Sequence, residues 1–139
     1  MKSAGYSGTP LVKKLGFKPG FQVRIVQAPE YYKELLEDLP KDVEFVNNSK
    51  TPKDLIHLFV QKKEDLIKSL YSLRKELKPN GMIWVSWPKK SSGMASNVTE
   101  DDIRKEAIQN ELVDIKVCAI DETWSGLKLV IPVKSRSKS

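Results

Sequence analysis

The run Trp87-Pro88-Lys89-Lys90-Ser91-Ser92-Gly93 gathers two cations, two hydroxyls and a glycine. Such a set presents N–H and O–H donors to a phosphate or a carboxylate. It lies in a polar connection spanning 88–98, and long connections in compact domains are commonly functional. A solvated basic loop has the same composition. A second constellation, Asp121-Glu122-Thr123-Trp124, offers carboxylates beside a stacking ring. Paired acids do acid–base work when their environments differ. Asp121 and Glu122 are adjacent, however, so their side chains diverge in an extended chain. A polar turn with Trp124 packed on a sheet edge accounts for the same residues. The candidate ligand-binding residues are therefore Trp87, Lys89, Lys90, Ser91, Asp121, Thr123 and Trp124, and the ligand they suit is a small anion.

Other reactive types are sparse. His57 lies inside an apolar run, where a hydrogen-bonded structural histidine is the commoner role and a general base the rarer one. Cys118 sits between Val117 and Ala119, as a small core residue would. One Cys and one His cannot build a Cys/His zinc cluster, and no metal site is expected. There is no P-loop, no serine-hydrolase elbow and no paired nucleophile and base. The sequence therefore leaves the cofactor, any catalysis and the oligomeric state open. Tyr6 and Ser7, ahead of the first helix, suit either a lid over the ligand or a frayed terminus.

The chain has 139 residues, which fits one domain with one core. A single cysteine excludes an internal disulfide and suits a reducing compartment. No apolar run approaches a membrane span, and the first ten residues hold no signal-peptide core, so a cytoplasmic location with no membrane partner is expected. The net charge is +6, and the three cations at 134, 136 and 138 leave the remainder at +3. A surplus held largely in a Ser/Lys tail does not favour nucleic acid, which usually meets a concentrated basic stripe. Residues 1–133 are expected to form the domain and 134–139 a basic disordered tail.

Thr9-Pro10 reads as a helix start, and Gly16 as its stop. Phe21 to Gln27 reads as a strand. A helix is expected from Pro29, with Tyr31, Tyr32, Leu35, Leu36 and Leu39 packing, until Pro40 ends it. Val43 to Val46 is a short strand, and Asp54 to Val60 is an apolar run suited to a strand covered on both faces. Leu66, Leu70, Leu73 and Leu77 mark one face of a helix over 62–77. Lys78 to Gly81 then turns into a strand over Met82 to Trp87. Thr99 caps an acidic-headed helix, and Leu112 to Ile120 and Leu127 to Val133 form a closing hairpin. The alternation predicts an α/β fold, three-layered and Rossmann-like, with a mostly parallel sheet of about six strands and a C-terminal antiparallel hairpin. Ligands of such sheets bind outside the carboxyl ends of the strands. The 121–125 turn joins that edge if the first strand of the hairpin runs parallel to the others.

Two resemblances accompany this reading. The helix over 62–77, the turn Leu77-Lys78-Pro79-Asn80-Gly81 and the strand Met82-Ile83-Trp84-Val85 resemble the late part of class I methyltransferase folds, as does the closing hairpin. A second covers nearly the whole chain. Tyr6-Ser7-Gly8-Thr9-Pro10-Leu11, Leu15-Gly16-Phe17-Lys18-Pro19-Gly20, Gln27-Ala28-Pro29-Glu30-Tyr31, His57-Leu58-Phe59, Trp84-Val85-Ser86-Trp87-Pro88-Lys89-Lys90 and Cys118-Ala119-Ile120-Asp121-Glu122-Thr123-Trp124-Ser125-Gly126-Leu127-Lys128 resemble a family of small bacterial proteins defined as a domain of unknown function. That resemblance implies a fold and no activity. The methyltransferase pattern has a glycine-rich turn after its first strand and an acidic residue after its second. This chain has Gln27-Ala28-Pro29-Glu30-Tyr31 and Asn47-Asn48 there. The reading is of a small-ligand domain binding an anionic or nucleotide-like molecule, with two alternatives: a divergent methyltransferase-like enzyme, and a nucleic-acid or protein interaction module.

Overall fold

A computed structural model describes residues 9–136. Its single sheet has the order β2-β1-β3-β4-β6-β5. The strands are β1 (Gln22–Val26), β2 (Glu44–Phe45), β3 (Lys53–Phe59), β4 (Leu77–Pro88), β5 (Val113–Ala119) and β6 (Trp124–Val130). The first four run parallel, and β6 runs antiparallel to both β4 and β5. β5 therefore runs with the parallel set, and the turn after it lies on the carboxyl edge of the sheet. The expected fold is the observed one.

The central strands β3, β4 and β6 alternate between two cores. Ile56 and Leu58 of β3 join an aliphatic cluster under α2 (Lys63–Arg74) and α3 (Glu100–Gln109). Leu55 and Phe59 join an aromatic-rich cluster under α1 (Leu11–Leu15) and a single 3-10 turn over Tyr32–Leu35. On the first side Leu66, Leu70 and Leu73 are buried as their spacing predicts. Thr99 accepts from the Asp102 N–H while Asp102 accepts from the Thr99 N–H, a complete capping box for α3. Gly16 ends α1 at φ 89, a conformation that costs a side-chain-bearing residue about 1 kcal/mol. Gly126 has another purpose: a Cβ there would meet Ile120 Cδ1 at 2.9 Å and Trp84 Cε3 at 3.2 Å.

Three local expectations are corrected. The helix from Pro29 contracts to the 3-10 turn, because its tyrosines serve different partners: Tyr31 reaches Asp121 and Tyr32 reaches His57. Asp38 at φ 58 then breaks any helical continuation. α1 has Pro10 at its N-cap, without a side-chain cap bond. The turn at 78–81 is absorbed into β4, whose pairing begins at Lys53↔Leu77 and resumes at Leu55↔Met82 after an irregularity. Within the tail, Lys134 to Arg136 join Val133 in one helical turn, α4 (Val133–Arg136), and the Arg136 Nε donates to the Ile131 carbonyl at 2.8 Å. Residues 137–139, and the candidate lid residues Tyr6 and Ser7, lie outside the described residues. Among the described residues no helix is long and apolar enough to cross a membrane.

Candidate functional site

The carboxyl edge is assembled from five segments. β1 ends at Val26, and Gln27 turns the chain at φ 59. The left-handed region disfavours a residue bearing a Cβ by about 1 kcal/mol. Gln27 lies exposed beside the end of β3, its Nε2 3.5 Å from the Phe59 carbonyl. Past the Pro29 turn, the Tyr31 hydroxyl donates to Asp121 Oδ2 at 2.8 Å, across 90 residues of chain. The other carboxylate oxygen, Oδ1, accepts the Thr123 and Trp124 N–H groups, each at 2.8 Å, and so fixes the hairpin turn. The Lys89 N–H donates to the Thr123 carbonyl at 2.8 Å and ties the loop after β4 to the same turn.

Two clefts open on this edge. The larger, about 730 Å³, lies between the start of α1, the 3-10 turn and the hairpin turn. Among the described residues its walls carry Glu34, Glu37, Asp121 and Glu122, and no lysine or arginine. The second, about 450 Å³, lies over the ends of β1 and β3 and is lined by Gln27, Phe59 to Lys62, Asp65, Ala95 to Asn97 and Trp124. Its rim is laced together. Gln61 Nε2 donates to the Ala95 carbonyl at 3.0 Å, and the Asn97 N–H donates back to the Gln61 carbonyl at 3.0 Å. The Asn97 side-chain oxygen accepts the Lys63 N–H at 2.8 Å and so satisfies a free donor at the start of α2. The far end of the 88–98 loop thus has a structural role in addition to forming a cleft wall.

Trp124 forms one wall of the second cleft. Its ring meets Phe59 edge-on, centroids 5.0 Å apart. Its Nε1 is buried and closes no well-formed hydrogen bond, although it acts on the Tyr31 hydroxyl. Burial, then the Asp121 carboxylate, raise the Tyr31 hydroxyl pKa; the Trp124 and Thr123 side chains pull against them and are outweighed.

Beneath the clefts lies a sealed polar chain. His57 has no exposed surface; its Nδ1 is 2.9 Å from the Tyr32 hydroxyl and its Nε2 is 2.8 Å from Ser86 Oγ. Its ring stacks on Phe59. Burial lowers its pKa to about 3, so it is neutral and each ring nitrogen has a hydroxyl partner. Both ring nitrogens are thus used within the fold, as a hydrogen-bonded structural histidine requires. Burial raises the Tyr32 hydroxyl pKa. Cys118 is half-buried, and burial raises its thiol despite Lys14 and Lys116.

Of the candidate residues, the structure brings Asp121 and Thr123 into the larger cleft and Trp124 into the wall of the second. Trp87 is buried in the aliphatic core. Lys90 and Ser91 stand exposed on a 3-10 turn, Lys90–Ser92, and neither cleft is lined by them or by Lys89. Gln27, Phe59, Gln61 and Asn97 were not among the candidates. The signal available for Gln61 was its place directly after the apolar run of β3, where parallel sheets bind ligands. No group of metal-binding side chains is found among the described residues.

A family model described as a protein of unknown function (DUF3052) matches residues 12–133. No match is found among curated proteins. Solved structures share the fold at low identity. A SAM-dependent methyltransferase from Aquifex aeolicus superposes with TM-score 0.61 at 14% identity, over 87% of this chain and 88% of that one. A ribosomal protein L11 methylase from Lactobacillus delbrueckii subsp. bulgaricus gives 0.57 and 14%, over 87% and 74%. A possible exported protein from Bordetella parapertussis gives 0.64 and 10%, over 88% and 66%. At these identities the likeness is one of fold.

Proposed function

This chain belongs to the DUF3052 family, whose description assigns no activity, and we propose that it is a small-ligand-binding domain taking a nucleoside-like molecule in the cleft over β1 and β3. The observation that carries this is Gln27: a residue with a Cβ is held at φ 59 in the wall of a cleft at the carboxyl ends of parallel strands. Strain of this kind persists where surrounding structure enforces it, and it clusters at ligand sites. The volume, about 450 Å³, is that of a small-molecule pocket. An aromatic wall of Phe59 and Trp124 beside the amides of Gln27, Gln61 and Asn97 suits a flat ring bearing hydroxyls and amines. Lys62 and Asp65 balance each other in charge, so a neutral or zwitterionic molecule fits better than bare phosphate.

The fold neighbours include a SAM-dependent enzyme, and S-adenosylmethionine contains a nucleoside. The fold's usual means of holding it are absent here. No glycine follows β1, and a 3-10 turn replaces the helix whose N-terminus would follow. After β2 the side-chain oxygen of Asn48 is committed to the Lys50 and Thr51 N–H groups. No methyl-transfer step follows from these residues.

Thermal unfolding tests the reading against adenosine, S-adenosylmethionine, its demethylated product and inorganic phosphate. A ligand at 100 times its Kd stabilises by about 2.7 kcal/mol, a shift of several degrees. The expected result is a shift with the nucleosides that Trp124→Phe diminishes. A shift with phosphate alone, or none with any nucleoside, overturns the proposal.

A further inference from the structure

Four lysines far apart in sequence, Lys14, Lys18, Lys116 and Lys128, converge on the α1 side of the outer hairpin. The β5–β6 register sets Lys116 directly opposite Lys128. Directly paired residues share a face, with Cβ atoms roughly 5 Å apart. The face is the one under α1, because Trp124 and Val130, even-numbered neighbours of Lys128 along β6, both belong to that core. Lys14 of α1 extends its Nζ to 3.5 Å from the Ala119 carbonyl at the end of β5. Lys18, just past α1, acts on Lys128, whose pKa is lowered by burial first and then by Lys116 and Lys18.

None of the four forms an ion pair among the described residues, whereas Lys53, Lys63, Arg74, Lys78 and Arg104 all do. Like charges directly opposite on paired strands destabilise a sheet. A fold that keeps such a pair without a counter-ion is complementary to negative charge brought from outside. The form of the patch selects among anions. Lysines are point charges without the fork that grips one phosphate. They are spread over α1, β6 and β5, which suits a polymer with repeating charge. Binding in a membrane interface needs several large apolar side chains around the cations, yet Val117 pairs with Leu127 of the opposite core and only the small Val113, paired with Val130, shares the lysine face along β5.

We propose that Lys14, Lys18, Lys116 and Lys128 form a binding surface for the phosphate backbone of a nucleic acid. This surface is separate from the cleft over β1 and β3. It also adds to the reading of the charge: four cations outside the tail lie together on one face of the folded domain.

The test is fluorescence anisotropy with a labelled single-stranded oligonucleotide and its duplex between 50 and 200 mM salt, with Tm measured alongside. The full chain is expected to bind with log K falling against log salt at a slope of roughly −3, as about four phosphate contacts give. Lys116→Glu turns the like-charge pair into an opposite-charge pair. Its Tm is expected to hold or rise, while affinity falls about tenfold or more and the slope becomes shallower by about one. Lys18→Glu, in an exposed turn, should weaken binding similarly. Unchanged binding in both variants overturns the proposal, as does absence of binding by the full chain at 50 mM salt. Binding lost only on deleting residues 134–139 reassigns it to the tail. Binding to phosphatidylserine vesicles without binding to the oligonucleotides reassigns it to a membrane surface. Either reassignment also overturns the proposal.

Discussion

At the amino ends of the parallel strands, charged groups close on one another. Lys53, with no exposed surface, meets Glu76 Oε1 at 2.7 Å and also bonds the Asn48 carbonyl. Arg24 grips both Glu76 oxygens at 2.8 and 2.7 Å, although its own Nε lacks a partner. Asp54 takes the Gln22 N–H at 2.8 Å and a Lys78 ion pair at 3.1 Å. At the carboxyl ends the pattern inverts. There Gln27 is held left-handed in a cleft wall, Trp124 Nε1 closes no well-formed hydrogen bond, and two clefts part the loops. Parallel sheets bind ligands at the carboxyl ends. Left-handed residues also occur at the amino ends, Asp42 before β2 and Glu111 before β5, so the ends differ in what closes them: buried ion pairs draw the strands together at one, while the loops part into clefts at the other.

The contrast breaks most severely at Glu76. Burial alone would raise its carboxyl, but hydrogen bonds from Lys53 and Arg24 outweigh that and hold its pKa below the ordinary value. Glu76→Gln leaves the Lys53 ammonium buried without its counter-charge. Loss of one partner from a buried pair costs about 3–5 kcal/mol. Urea unfolding should show that loss in the midpoint. The triple variant Arg24→Met, Lys53→Met and Glu76→Leu should recover most of it, because apolar replacement of a whole buried ionic cluster is often neutral. A loss under 1 kcal/mol in Glu76→Gln would mean that the amino end does not lock the sheet.

Between the two ends, His57 gives a pH-dependent effect of intermediate size. Its folded pKa is lowered to about 3, against about 6.5 in an unfolded chain. Between those values the unfolded chain binds a proton that the folded one refuses. Its contribution is therefore fully present above pH 6.5 and is lost as pH falls towards 3, at up to about 1.4 kcal/mol per pH unit. Lowering the pH from 6.5 to 4.5 should cost the native protein about 2 kcal/mol more than it costs His57→Asn, which has no such titration. Parallel pH profiles of the two urea midpoints would argue against a sealed neutral histidine.

The two faces of the sheet differ in how far the sequence discloses them. Leu66, Leu70 and Leu73 repeat at helical spacing, and Thr99 stands three residues before Asp102. Such local signals identify α2, α3 and the aliphatic core. The α1 face is covered by five- and four-residue elements, too short for periodicity to mark. Tyr31 and Tyr32 look like one helix stripe until Asp121 and His57 separate them, and both partners are distant in sequence. The same limit governs the sites. Asp121, Thr123 and Trp124 are legible because a turn between strands marks them. Gln27, Gln61 and Asn97 meet only through strand order, and Lys14 reaches the end of β5 only through packing of α1 on the sheet.

The smallest effect is the sharpest test of the carboxyl end. Gln27→Gly relieves the left-handed backbone, worth about 1 kcal/mol. It also gives the unfolded chain more freedom, which costs about 0.4–1 kcal/mol in the opposite sense. The two nearly cancel, so the urea midpoint should move by no more than about 0.5 kcal/mol equivalent. Binding of a nucleoside should respond more strongly, because the glycine lacks both the amide that lines the cleft and the enforced turn that shapes it. Isothermal titration with adenosine on the two proteins separates these effects. Lost affinity at unchanged stability would mean that Gln27 is retained for the ligand. A gain of more than 1 kcal/mol in stability with equal affinity would mean that the strained turn serves neither the fold nor the cleft, and the distinction between the two ends would lose its functional meaning.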